Sequence, residues 1–250
     1  MNQKAHAGDV RQGRSGLVRR AVVAEWGTLF GTVRESLRTK RLAAVPLAIG
    51  ATLLILLFDV AQHLPHGQHV VNQLGGVKAG QPLDLSLLRT PLSLFVPALD
   101  LPVWGALVQV LVVFGIAEIV LGRRATLVIA YACTLAGTLF ARIGVALGRD
   151  HLPGLSPAIA HVRDTGPSAA VVALILCAAW RTRARATAVG VFAVMAVEVI
   201  AIPNLAGMEH IVALCTALLL AVAGELTGNY WSRVWNGVGA ANLFAEQRAA

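Results

Sequence analysis

Charge is scarce in this chain of 250 residues. Only 14% are Asp, Glu, Lys or Arg, against about 25% in an ordinary soluble domain. Aromatic residues make up 6%, and there are three cysteines and three methionines. The apolar share is 56% and the mean hydropathy is +0.69. One soluble core of this size does not hide so much apolar side chain. The shortage of charge therefore excludes an ordinary cytosolic enzyme, and the apolar excess excludes a disordered chain. The shortage of cysteine excludes a disulfide-stapled secreted domain. Cys133, Cys177 and Cys215 lie in separate apolar runs without metal-ligand spacing. They read as small buried hydrophobes. No short apolar core followed by a small-residue cleavage site stands near Met1, so no signal peptide is expected. What remains is an all-α, polytopic membrane bundle.

Six long apolar runs support that class. They cover 42–62, 103–122, 125–147, 166–180, 186–203 and 205–226. A spanning helix needs about 20 apolar residues. A shorter apolar piece, 91–99, is a candidate re-entrant segment. Residues 1–41 read as a basic cytoplasmic tail, flexible over 1–20 and helical over 21–37. There Val22, Trp26, Leu29, Phe30, Val33 and Leu37 recur at spacings of three and four. Such a stripe, followed by Arg34, Arg38, Lys40 and Arg41, suits either anionic lipid at the membrane surface or docking on the protein's own bundle. Residues 42–226 form the membrane domain and 227–250 a cytoplasmic C-terminal tail.

The net charge of +8 is explained by topology. With the N-terminus in the cytoplasm and sides alternating, sixteen of the 21 Lys and Arg fall on cytoplasmic segments. Four fall outside: Lys78, Arg89, Arg149 and Arg163. Arg142 lies within the third run. The positive-inside rule requires this asymmetry. It predicts six spans with both termini inside, and no nucleic-acid partner. Trp104, Trp180, Trp231 and Trp235 fall at helix ends, as an aromatic belt would.

The fourth run is short. Fifteen residues at ~1.5 Å rise cover roughly 22 Å of a ~30 Å hydrocarbon core. Trp180, Arg181, Arg183 and Arg185 fix its cytoplasmic end. The deficit therefore falls at the outer end, and Gly166-Pro167-Ser168 starts below the membrane surface. Irregular backbone at that depth needs protein or a water-filled cavity around it. Ser168 then sits beside the unsatisfied N–H groups of a helix start, the donors an oxyanion would use. His210 is the histidine inside the sixth run, at similar depth. Ala213 and Ala217 follow it on the same face, and small residues let another helix approach. If the fourth helix fills that place, an imidazole meets a hydroxyl that needs a base. The plainer alternatives are Ser168 as a helix-start residue and His210 as a structural histidine.

These residues resemble the rhomboid family of intramembrane serine proteases, in a divergent bacterial branch. Gly166-Pro167-Ser168-Ala169 stands for the family's Gly-x-Ser-x, whose serine is the nucleophile. His210 with Ala213 and Ala217 resembles its sixth-helix His followed by small residues. Glu118 and Gly122 resemble its Glu-x3-Gly closing the second helix. Arg89 stands where the family has Trp-Arg, with Leu88 in place of the Trp. The resemblance spans about 42–226. It implies a six-helix fold in a bacterial plasma membrane, a Ser168–His210 dyad opening outward, and structural roles for Arg89, Glu118 and Gly122. Pro102 and Ala106 replace the second-helix His and Asn that support the oxyanion in active members. Val172 replaces the aromatic that packs under the catalytic His. Gln109 is the nearest polar side chain on that helix, so the oxyanion support implied is Gly166 with Gln109. Losing one oxyanion donor costs roughly 10²–10³ in rate.

Three functions follow as expectations. The first is a serine-type intramembrane endopeptidase that cuts transmembrane segments of other proteins. The second is an inactive relative that binds or escorts membrane proteins. The third, a small transporter, rests on Glu198 and Arg142 within spans and lacks an internal repeat. Membrane lipid is a partner in each, and no cofactor or metal is implied. Glu198 lines a cavity or pairs with Arg142. Glu118 reads as pairing or capping, and Glu209 as facing polar surroundings away from His210. Asp150 and Asp164 read as solvated, Asp164 also as a cap. His63, His66 and His69 read as a solvated loop, because Pro65 and Gly67 oppose one helix.

Overall fold

The computed structural model describes residues 3–99, 101–151 and 154–226, the first 16 of these by their backbone alone. It is all-helical apart from one two-residue strand pair. α1 spans Gln3–Lys40, α2 Pro46–His63, α3 Gly67–Gly75 and α4 Leu83–Ser93. α5 spans Val103–Leu121, α6 Arg123–Leu147, α7 Ser168–Thr182, α8 Arg185–Ala201 and α9 Leu205–Leu226. β1, Val77–Lys78, pairs antiparallel with β2, Arg163–Asp164. Four helices, α2, α5, α6 and α9, are long and apolar enough to cross a membrane by length and composition. The other two apolar runs form α7, of 15 residues, and α8, of 17. The tail 227–250, with Trp231 and Trp235, lies outside the described residues.

α7 is the packing centre, against α5, α6, α8 and α9. Ten of its 15 residues are buried. Its face of Ala170, Ala173, Cys177 and Ala178 is small, which brings neighbouring backbones close. The Cys177 thiol reaches the Ala217 carbonyl of α9 at 3.7 Å. Ala213 and Ala217 are fully buried in this seam. Cys133 and Cys177 are buried as expected, whereas Cys215 is exposed on α9. The reading of all three as buried hydrophobes is corrected there, because α9 turns that face away from the seam.

Glu118 joins three elements at the opposite end. Its carboxylate accepts from the Leu47 and Ala48 N–H groups at 3.2 and 3.0 Å, in the first turn of α2. Arg123 Nε donates to it at 2.8 Å. Orphan N–H groups and the positive helix end both favour a carboxylate there. Gly122 links α5 to α6 at φ +87°, a backbone region that side chains rarely adopt.

α1 is longer than the sequence suggests. Helix replaces the flexible tail expected over most of 1–20. No proline interrupts residues 1–41, so nothing there breaks the hydrogen-bond ladder. α1 also docks on the bundle. Thr187, in the first turn of α8, donates its N–H to Glu25 at 2.7 Å and its hydroxyl at 2.9 Å. Trp26 Nε1 donates to the Thr187 hydroxyl at 2.8 Å. The Thr187 N–H holds the Glu25 carboxyl below its usual range. Val23 and Phe30 remain exposed along the rest of α1.

The first long loop is structured. α3 and α4 occupy most of 67–93, and Leu94 and Val96 behind them are fully buried. The apolar piece 91–99 thus begins as the last turn of α4 and continues through a turn at 94–95 into irregular chain that is buried as far as Pro97. His63, His66 and His69 do not share a helix: His63 ends α2, His66 is left-handed at φ 63°, and His69 pairs with Gln73 inside α3. Among the described residues no group of three His, Cys, Asp or Glu is placed to hold a metal.

Candidate active site

The segment ahead of α7 is clamped from several sides. Val77 pairs with Asp164 and Lys78 with Arg163 across the strand pair. Arg163 donates to Asn72 Oδ1 at 3.0 Å, Gln62 Oε1 at 2.7 Å, the Pro97 carbonyl at 2.9 Å and Thr165 Oγ1 at 3.1 Å. It thereby ties the ends of α2 and α3 and the chain after α4 to the approach to Ser168. The Gly166 N–H donates to the Ser93 carbonyl at 3.0 Å. Gly166 sits at φ +117°, and a Cβ there would find the Val96 carbonyl oxygen at 4.0 Å. The conformation, more than space, calls for glycine.

Ser168 is the first residue of α7, after a buried Pro167. The first turn of α7 has no side-chain cap, so its leading N–H groups are open. Ser168 is half-buried, and its hydroxyl has no hydrogen-bond partner among the described residues. His210 is buried.

Helix packing sets both residues at one level. Short connections, 183–184 and 202–204, reverse the chain twice, so α7 and α9 run in the same direction. Cys177 touches Ala217. Ser168 lies nine residues before Cys177, about 13.5 Å along the axis, and His210 lies seven before Ala217, about 10.5 Å. The two heights differ by only about 3 Å. Asp164, four residues before Ser168, lies beside the Glu209 carboxyl, next in chain to His210.

Ser168 and His210 are nevertheless not hydrogen-bonded. His210 Nδ1 faces Glu198 Oε2 of α8 at 3.4 Å. His210 Nε2 is buried and has no partner among the described residues. Glu198 does not pair with Arg142. That guanidinium donates instead to the Gln81 carbonyl at 2.6 Å and to the Ser86 hydroxyl at 3.1 Å. It leans toward the ordered first loop, so the pairing weighed from sequence does not form.

Asp164 departs from its sequence reading, and Glu209 beside it faces this polar neighbour from within the bundle. Asp164 is neither a cap nor fully solvated. It accepts from the Thr138 hydroxyl of α6 at 3.0 Å. Burial raises its pKa, and the Thr138 hydrogen bond opposes that rise. Glu209 is buried against α6, where an added Cβ on Gly137 would lie 3.3 Å from its Cβ. One of its oxygens, Oε1, is buried without a partner among the described residues. Glu209 faces protein because Gly137 leaves α6 without a side chain at the crossing.

Gln109 is half-buried on α5 and makes no hydrogen bond among the described residues. Arg89 donates to the Gly76 carbonyl at 3.1 Å and to Gln81 Oε1 at 3.4 Å, which places it within the first-loop scaffold. Val172 is buried on α7. Two apolar grooves flank α7. One, of about 510 Å³, is lined by Trp26, Ile175, Val191 and Met195 among others, and the second adds Val113 and Ile116 of α5. Ser168 and His210 line neither groove. No family model, no curated protein and no solved structure matches this chain.

Proposed function

We propose that this chain is a rhomboid-like membrane protein acting as a serine-type intramembrane endopeptidase. Ser168 is the nucleophile and His210 the base. The observation that carries this reading is the buried Nε2 of His210, unpartnered among the described residues, on the helix whose Ala217 meets Cys177 of the uncapped helix that Ser168 begins. Ser168 Oγ attacks a peptide carbonyl while His210 Nε2 takes its proton and returns it to the leaving amine. The leading N–H groups of α7 bear on the oxyanion, and Gln109 of α5 is the candidate side-chain donor beside them. Water then releases the acyl group by the same route. α2 and α5 to α9 form the six spans, with both termini inside a bacterial plasma membrane. The substrates are transmembrane segments of other proteins, met among membrane lipid.

A second reading has its own support. Pro102 and Ala106 carry no donor side chain, and Ser168 and His210 make no hydrogen bond. A rhomboid-like protein that binds or escorts membrane proteins without cutting them needs neither. Full-length protein in detergent micelles, treated with a fluorophosphonate probe, separates the two. The peptidase labels at Ser168, and Ser168→Ala abolishes the signal. Labelling that is absent, or equal in both proteins, leaves the escort reading standing.

A further inference from the structure

Glu198 lies on a different helix from His210, yet it is the only described carboxylate recorded against the imidazole. The two residues stand six positions either side of Asn204, in the turn between α8 and α9. Helices that reverse about that turn bring them to one height. Asn204 fixes the second arm by accepting the Gly207 N–H at 2.7 Å, an N-cap. The Glu198 side chain is about one-third exposed, at 32%, and that of His210 is 11% exposed. The Glu198 side chain is thus part-exposed at the edge of the bundle, while the imidazole it faces is largely enclosed.

A neutral imidazole carries one proton, and a hydrogen bond at one nitrogen decides which nitrogen keeps it. A carboxylate accepts and does not donate. We infer that Glu198 is a positioning residue for His210: it accepts the Nδ1 proton and fixes the tautomer whose Nε2 lone pair is free inside the bundle. This deepens, and rests on, the reading of Ser168 as nucleophile. When His210 takes the serine proton at Nε2, it becomes a cation with both nitrogens protonated. Glu198 then faces that cation with a negative charge and stabilises it. No covalent bond to Glu198 forms, and its own protonation does not change. The other buried acid of this region, Glu209, precedes His210 on α9 and is turned to Asp164 and Gly137. It does not compete for Nδ1.

The test uses full-length protein in detergent micelles with 15N-labelled histidine. The His210 signal among the seven histidines is assigned by its loss in His210→Gln. In wild type, the ring 15N shifts are expected to report the Nδ1–H tautomer. In Glu198→Ala, and in the similarly sized Glu198→Met, they are expected to move toward the Nε2–H form. Glu198→Asp restores the wild-type pattern in part. Unchanged shifts in a variant that elutes and melts as a folded protein overturn the assignment, as does an Nε2–H form in wild type. In parallel, fluorophosphonate labelling at Ser168 is expected to slow roughly tenfold or more in Glu198→Ala and Glu198→Met, and to recover partly in Glu198→Asp. Wild-type rates in all three also overturn it. If wild type does not label at all, the peptidase reading fails, and the 15N shifts still decide whether Glu198 sets the tautomer.

Discussion

The Thr138 hydroxyl of α6 donates a 3.0 Å hydrogen bond to the carboxyl of Asp164, four residues ahead of Ser168. Burial makes the Asp164 carboxyl hold its proton more tightly in the folded chain than in the unfolded chain, while its hydrogen bonds with Thr138 and Glu209 oppose that rise. The approach to the serine is therefore joined to the bundle by a contact that responds to acid.

The sign of that response follows from linkage. Where the native state binds more protons than the unfolded state, stability falls as pH rises. Asp164 is raised by burial, so its contribution is fully present below the ordinary aspartate range. It is lost as pH climbs through the higher folded value. Thermal midpoints measured from pH 4 upward are expected to decline across that window, and Asp164→Asn to flatten the decline. A rising midpoint in wild type over the same window contradicts the burial of this group.

Glu118 caps α2 from α5 and holds Arg123. Glu118→Ala leaves the Leu47 and Ala48 N–H groups without their acceptor and Arg123 without its partner. The expected cost is about 2–3 kcal/mol, since hydrogen bonds to a charged group are the stronger kind. Thermal unfolding in micelles measures it. Glu118→Gln keeps an acceptor and is expected to lose about half as much.

Arg163 donates to Gln62 of α2, Asn72 of α3, the Pro97 carbonyl after α4 and Thr165 of its own connection. Arg163→Met keeps most of the stem and removes every donor. The expected loss is roughly 2–3 kcal/mol, and limited proteolysis should open the 148–165 connection faster than in wild type. Cleavage elsewhere at an unchanged rate would show the loosening to be local. A variant as resistant as wild type would mean that the strand pair alone holds this segment.

The legible parts of this chain were those that need only a run length or a period. Each of the six apolar runs falls on a helix within a few residues, because burying an apolar face and satisfying the backbone both favour helix. Glu118 was readable as a cap or pair from its place beside Gly122 and Arg123. α3 and α4 were not legible, because Pro91 and the glycines of 67–80 look like loop. Tertiary bonds from Arg89, Arg142 and Arg163 order that segment, and such bonds leave no periodic trace. The contact of Asp164 with Glu209 was hidden for the same reason. Its one local sign was Gly137 next to Thr138, a gap in α6 beside a donor. The facing of Glu198 and His210 was available in principle, as two polar residues equidistant from a Pro-Asn turn.

All three cysteines fall among the described residues, and two of them are sealed inside the bundle. Cys215 stands alone on the outer side of α9, five residues beyond His210. The native chain thus already has a single outward-facing thiol on the helix that carries the imidazole, turned to lipid where that helix spans the membrane. A spin label or fluorophore placed there reports the tilt of that helix without any engineered mutation.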